Sequence, residues 1–252
     1  MRFLGNDYQG EGVSIAIIDS GINIEDPRLA GAQIDGWSIE LGATGHALVQ
    51  AEFDDENGHG TEVASAVHAM APKARLLAVK IMGKRLRTSA ELMAAGIETA
   101  ARNGAKVINL SLGTPNMGKA LLLRDCCGNA VEQGSVVLAA AHPRGERAYP
   151  ADLPETMGVA SHADCPLDKV FFFDPKRFPR KTWPSLSGKF MAHGHVEEPD
   201  VGRRYRGSGV ATAYLSAQVA CLRQALPAAS AAEIIDRLKQ RSLIPMPEIG
   251  YS

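Results

Sequence analysis

Several stretches of this chain are apolar on both faces over the length of a strand: Val13–Ile18, Ala74–Ile81, Lys106–Leu112 and Ser135–Ala140. Strands without polar alternation suit a parallel sheet covered by helices on both sides. Between them the apolar period lengthens to that of a helix. Helical patterns run over 60–70, from the capping box Thr88-Ser89-Ala90-Glu91 to Asn103-Gly104, and over 117–133. Two more run from Ser208 to Leu226, stopped by Pro227, and from the box Ser230-Ala231-Ala232-Glu233 to Arg241. This alternation predicts an α/β fold, a mostly parallel sheet with helices on both faces. Residues 161–206 are rich in Pro, Phe, Lys and His and break the pattern, so surface loops and short hairpins are expected there. No repeat or low-complexity linker divides the chain, and residues 1–252 read as one domain.

Composition narrows the partners. With 252 residues, 45% of them hydrophobic, the chain can bury a large core. Its net charge of −1 gives no electrostatic case for nucleic acid or for an anionic membrane. No apolar run of about 18 residues is present to span a bilayer. The first ten residues turn polar quickly and lack the apolar stretch of a secretory signal, which leads to the expectation of a cytoplasmic protein. The four cysteines, Cys126, Cys127, Cys165 and Cys221, lack zinc-site spacing and are expected to be buried reduced thiols.

The candidate chemistry lies at strand and helix ends. Asp19 closes an apolar strand in Asp19-Ser20-Gly21, where open α/β sheets place their sites. His59 stands at a helix start within Asn57-Gly58-His59-Gly60-Thr61. Gly207-Ser208-Gly209-Val210-Ala211-Thr212 opens a long apolar helix. Each alone has an ordinary structural explanation, as a turn-forming aspartate, a satisfied loop histidine or a helix start.

Together and in this order they resemble the subtilisin-like serine proteases, over nearly the whole chain. The resemblance implies a three-layer subtilisin-like sandwich and an Asp–His–Ser triad. It makes Asp19 the acid that orients a histidinium, His59 the general base and position 209 the nucleophile. It also makes Ser111-Leu112-Gly113 a strand that pairs with an extended peptide. Val137–His142 resembles the strand that ends in Gly-Asn, so His142 stands at the oxyanion-donor position. Met191-Ala192-His193-Gly194 resembles an Ala-Pro-Gly turn with histidine for proline.

The departures from that pattern carry as much information. Glycine at 209 has no side chain to attack a carbonyl. Removing that nucleophile costs about a million-fold in turnover, roughly 8 kcal/mol of barrier, a figure that comes from a member of the family itself. Loss of one oxyanion donor costs roughly 2.7–4 kcal/mol. Ser208 cannot stand in, because one residue of helix rotates a side chain by about 100°. It is expected to cap the helix instead.

The primary expectation is a pseudo-protease that binds an extended segment of a partner polypeptide. One alternative is an active endopeptidase whose serine is replaced by Gly209 in this sequence. Another is a non-catalytic scaffold that docks through Phe171-Phe172-Phe173 and the basic residues 175–181. Arg203-Arg204-Tyr205-Arg206 is read as a solvated loop able to attract acidic groups. Calcium stabilises relatives, and Asp54-Asp55-Glu56 is a carboxylate cluster, but it is read as exposed loop acid and no metal is assigned. The oligomeric state is left open.

Overall fold

The computed structural model describes residues 2–3, 6–42, 46–177, 189–198 and 203–242. In chain order the strands are β1 (Arg2–Phe3), β2 (Asn6–Asp7), β3 (Ser14–Asp19), β4 (Gln33–Leu41), β5 (Ala47–Gln50), β6 (Arg75–Lys80) and β7 (Val107–Leu110). They continue with β8 (Val136–Ala140), β9 (Met157–His162), β10 (Phe171–Phe172), β11 (Phe190–His193), β12 (His195–Glu198) and β13 (Arg203–Arg206). The α-helices are α1 (His59–Met70), α2 (Ala90–Arg102), α3 (Ala120–Glu132), α4 (Ser208–Ala225) and α5 (Ala231–Arg241).

A nine-stranded sheet forms the middle layer, in the order β10-β11-β9-β8-β7-β3-β6-β4-β5. Every pairing from β11 to β4 is parallel; β10 and β5 join the two edges antiparallel. Alternate residues of each strand feed opposite layers. Ile15, Ile17, Leu76 and Leu138 pack with α1, α4 and α5 on one face. Ala16, Ile18, Leu77, Val79 and Ile108 pack with α2 and α3 on the other. The expected α/β sandwich, helices on both faces of a mostly parallel sheet, is therefore the observed one. Each fully buried Ile or Leu in these layers contributes about 1.5–3 kcal/mol.

Three local readings change. The capping box before α2 sits one residue later than expected: Ser89, not Thr88, is the N-cap and accepts from the Leu92 N–H. The box at Ser230 and Glu233 forms as read. Residues 161–206 hold an expected short hairpin, β12 with β13, which makes Arg203–Arg206 a strand and not a loop, but β11 lies inside the main sheet beside β9, with Phe171 and Phe173 in a small core with Cys165 and Met191. Those phenylalanines are buried and offer no docking surface. Most of the basic stretch, from Phe178 on, lies outside the described residues.

All four cysteines are buried and unpaired, and burial pushes the Cys165 thiol up to about 12. Among the described residues, no helix is long and apolar enough to cross a membrane.

Candidate active site

Parallel strands end on one side of the sheet, and the loops there carry the candidate residues. Asp19 is the last residue of β3 and is fully buried. Its Oδ1 accepts from the Ser20 N–H at 2.7 Å and lies 2.8 Å from His59 Nδ1. A carboxylate only accepts, so Nδ1–H is the donor and the Nε2 side of the ring is left to take up a proton. Asp19 Oδ2 is buried with no partner among the described residues. His59 holds its proton above the usual imidazole range: the hydrogen bond it donates to Asp19 and the carboxylate charges of Asp19, Asp55 and Glu62 outweigh its burial. A histidine oriented by a buried carboxylate can act as a general base.

The sequence of the 55–61 segment explains why His59 stays there. Asp55 Oδ1 accepts from Ser20 Oγ and from the Asn57 and Gly58 N–H groups. Its Oδ2 accepts from the N–H and hydroxyl of Thr61. Ser20 Oγ in turn accepts from the Gly60 N–H at 3.0 Å, tying the turn after β3 to the start of α1. Gly60 must be glycine, since a β-carbon there would stand 2.1 Å from the Gly21 carbonyl. The close approach that framing glycines suggest is thus backbone against backbone.

Asp55 is not a solvated acid as expected, but a tie between two loops. Beside it, Lys80 Nζ donates to the Asp54 backbone carbonyl at 2.6 Å and pairs with the Glu56 carboxylate at 3.3 Å. An ammonium therefore stands beside this acidic turn.

Gly209 is the second residue of α4. The helix N-cap is Gly207, and no side chain caps it, so Ser208 does not have the capping role expected of it; its carbonyl accepts from Thr212 instead. A β-carbon at 209 would lie 3.3 Å from the Ser111 β-carbon and 3.7 Å from its Oγ. Ser111 Oγ is held by the Asn109 side-chain amide at 3.0 Å, whose carbonyl oxygen accepts from Ser216 of α4 at 3.1 Å. This buried bridge fixes β7 against the helix that carries Gly209. Asn109 is not among the residues singled out from sequence, although a lone amide inside an apolar run is the signal that marks it.

Beyond β7, Ser111-Leu112-Gly113 runs open and partly exposed towards Thr114, whose backbone exchanges two 2.8 Å hydrogen bonds with Tyr149. A β-carbon at Gly113 would meet the Tyr149 carbonyl at 3.0 Å, so this glycine serves the chain's own packing as well as any ligand. His142 follows β8. Its Nδ1 accepts from the Arg144 N–H at 3.4 Å, which leaves Nε2–H as a donor on the neutral ring. Among the described residues no hydrogen bond joins His142 to Asp19, His59 or Gly209. His193 gives its Nδ1 to the Cys165 carbonyl at 2.9 Å, and Gly194 accepts from the Gly207 N–H at 3.0 Å, so that turn abuts the start of α4. The structure thus joins Asp19 with His59, and Ser111 with Gly209, in direct contact.

The family model for the subtilase family (Peptidase_S8) matches residues 10–244. This chain belongs to the subtilase family. It is 34% identical to thermitase of Thermoactinomyces vulgaris over 217 residues, 75% of this chain and 73% of that protein. It is 31% identical to subtilisin BL of Lederbergia lenta over 213 residues, 74% of each. Among solved structures, the S41 psychrophilic protease superposes with a TM-score of 0.75 at 22% identity, covering 94% of this chain and 86% of that one. Sphericase gives 0.71 at 22% identity, with 92% and 84% covered. These structures share the fold. The residues that the family model matches in this subtilase include Asp19, His59 and Gly209.

Proposed function

We propose that this subtilase is a pseudo-protease, which holds an extended polypeptide segment without cutting it. What supports the reading is Gly209 at the start of α4, the position to which the motif resemblance assigns the nucleophilic serine. Asp19 and His59 keep the orienting carboxylate and base, and Ser111-Leu112-Gly113 keeps an accessible strand end. A bound peptide would pair its backbone there, in the manner of an added strand. His142 is the proposed stand-in for the oxyanion donor. Four buried, unpaired thiols fit a cytoplasmic setting.

Calorimetry against extended peptides and a casein hydrolysis assay test this together. Peptide binding without hydrolysis is the expected result. Hydrolysis blocked by a serine-directed phosphonate would overturn it.

The short Asp19–His59 contact favours a second reading, an endopeptidase whose forms with serine at 209 are active. Gly209→Ser decides between them. Labelling of that variant by a fluorophosphonate, with casein cleavage, supports the second reading. Silence supports the pseudo-protease. The scaffold reading loses its apolar patch, because Phe171 and Phe173 are core residues.

A further inference from the structure

The two edges of the main sheet are finished differently. At one, β10 is two residues long, Phe171 is buried, and the Lys239 ammonium stands 5.4 Å from the centre of the Phe172 ring. At the other, all four residues of β5 are exposed, Leu48 and Val49 by 51% and 50%. Leu41, opposite Ala47 on β4, is exposed as well. Edge strands are kept from pairing by lysines, other charges or proline, and Ala47-Leu48-Val49-Gln50 has none of them.

The register of β4 and β5 shows which backbone groups of that edge are left over. The Gly42 N–H donates to the carbonyl of His46, the residue opposite it, at 2.9 Å. Antiparallel pairs alternate between bonded and non-bonded, so Leu48 opposite Glu40 and Gln50 opposite Ser38 bond to β4. Ala47 and Val49 therefore turn their N–H and C=O groups outward, and among the described residues no further strand pairs with β5.

We propose that β5 pairs with β5 of a second copy of this chain, antiparallel about a two-fold axis at Leu48, which joins two sheets into one. In that register Ala47 of each copy faces Val49 of the other, and each facing pair exchanges both of its N–H···O bonds. Leu48 meets its own copy at the non-hydrogen-bonded position, where side chains stand closest. His46 lies opposite Gln50, so no like charges are opposed. A second copy fits better than an unrelated strand because this uncharged edge matches itself at each of these positions. A two-fold contact also closes on two copies and leaves no edge of the same kind open. The contact does not involve Gly209 and is independent of what the site does.

Sedimentation equilibrium of the full chain tests this. The apparent mass should rise from 26.8 kDa towards twice that value as the protein is concentrated through about 10–100 µM, the weak range expected of so short an interface. Val49→Pro removes an N–H that β4 does not use. It should leave thermal unfolding of the monomer little changed and weaken the dimer by about tenfold or more. Ala47→Lys with Val49→Lys opposes like charges across the axis and should keep the protein monomeric. Ala47→Glu with Val49→Lys opposes unlike charges and should restore pairing. A chain that stays monomeric throughout the range leaves this edge to a different polypeptide or to solvent and overturns the proposal. So does a dimer that Val49→Pro does not weaken, since it then forms through another face. Equal behaviour of the two charge variants overturns the pairing about Leu48.

Discussion

The Asp55 carboxylate and Thr61 close a short loop around His59: Asp55 Oδ2 lies 2.9 Å from the Thr61 N–H and 2.6 Å from its hydroxyl. With Ser20, Asn57 and Gly58 on the other oxygen, five donors converge on one side chain. Burial opposes ionisation of Asp55, but the hydrogen bonds from Thr61, Gly58 and Ser20 win and hold its pKa below 3.8. Asp55→Ala should therefore cost about 3 kcal/mol in urea unfolding. Because the folded pKa is depressed, the contribution is present above pH 3.8 and fades as pH falls through the folded value. A wild-type acid unfolding curve unchanged by Asp55→Ala would contradict this.

His59 should titrate above 6.5 by NMR, and Asp19→Asn should move it down, since the Asp19 hydrogen bond and charge are what raise it. The sign for stability is the reverse of that for Asp55. The contribution is complete below 6.5 and is lost as pH rises through the folded pKa. An Asp19→Asn protein in which His59 titrates as in the wild type would break the link between them.

Lys189 and Asp152 form a buried ion pair at 2.6 Å, with side chains 5% and 4% exposed. Asp152 also accepts from the Ala148 N–H, beside the segment that pairs with Thr114. Asp152→Ala strands the ammonium and should cost about 3–5 kcal/mol in denaturant unfolding. Adding Lys189→Met should recover most of that loss. If the double variant is no more stable than Asp152→Ala, the charge is not the cause.

Two glycines next to the site should behave oppositely. Gly60→Ala sets a β-carbon 2.1 Å from the Gly21 carbonyl and should lose about 3 kcal/mol or more. Gly209→Ser meets Ser111 at 3.3 Å, a contact that a small shift relieves, and should change stability by about 1 kcal/mol or less. Thermal unfolding of both variants checks this, whatever their activity.

The layered sheet was legible because β3, β6, β7 and β8 are buried on both faces and so lack polar alternation. Asp19 and His59 were legible as a pair only through their motifs, and the 2.8 Å contact between them needs β3 and α1 brought together. Strand β4 was missed: its row, Gln33–Leu41, mixes buried and exposed positions beside an antiparallel edge, and reads as neither helix nor buried strand. Strand β11 was missed because the Pro- and Lys-rich residues before it dominate the pattern. Asp55 was misread because three of its five donors are backbone N–H groups, which leave no mark in side-chain chemistry, and the Ser20 hydroxyl comes from a turn 35 residues away.

Lys80 has a consequence for the medium in which this protein works. A tethered ammonium among the oxygens of Asp54 and Glu56 comes with the chain and cannot be stripped by a chelator or diluted away. The tie that Lys80 makes in that turn, next door to His59, accordingly does not itself call for a divalent ion.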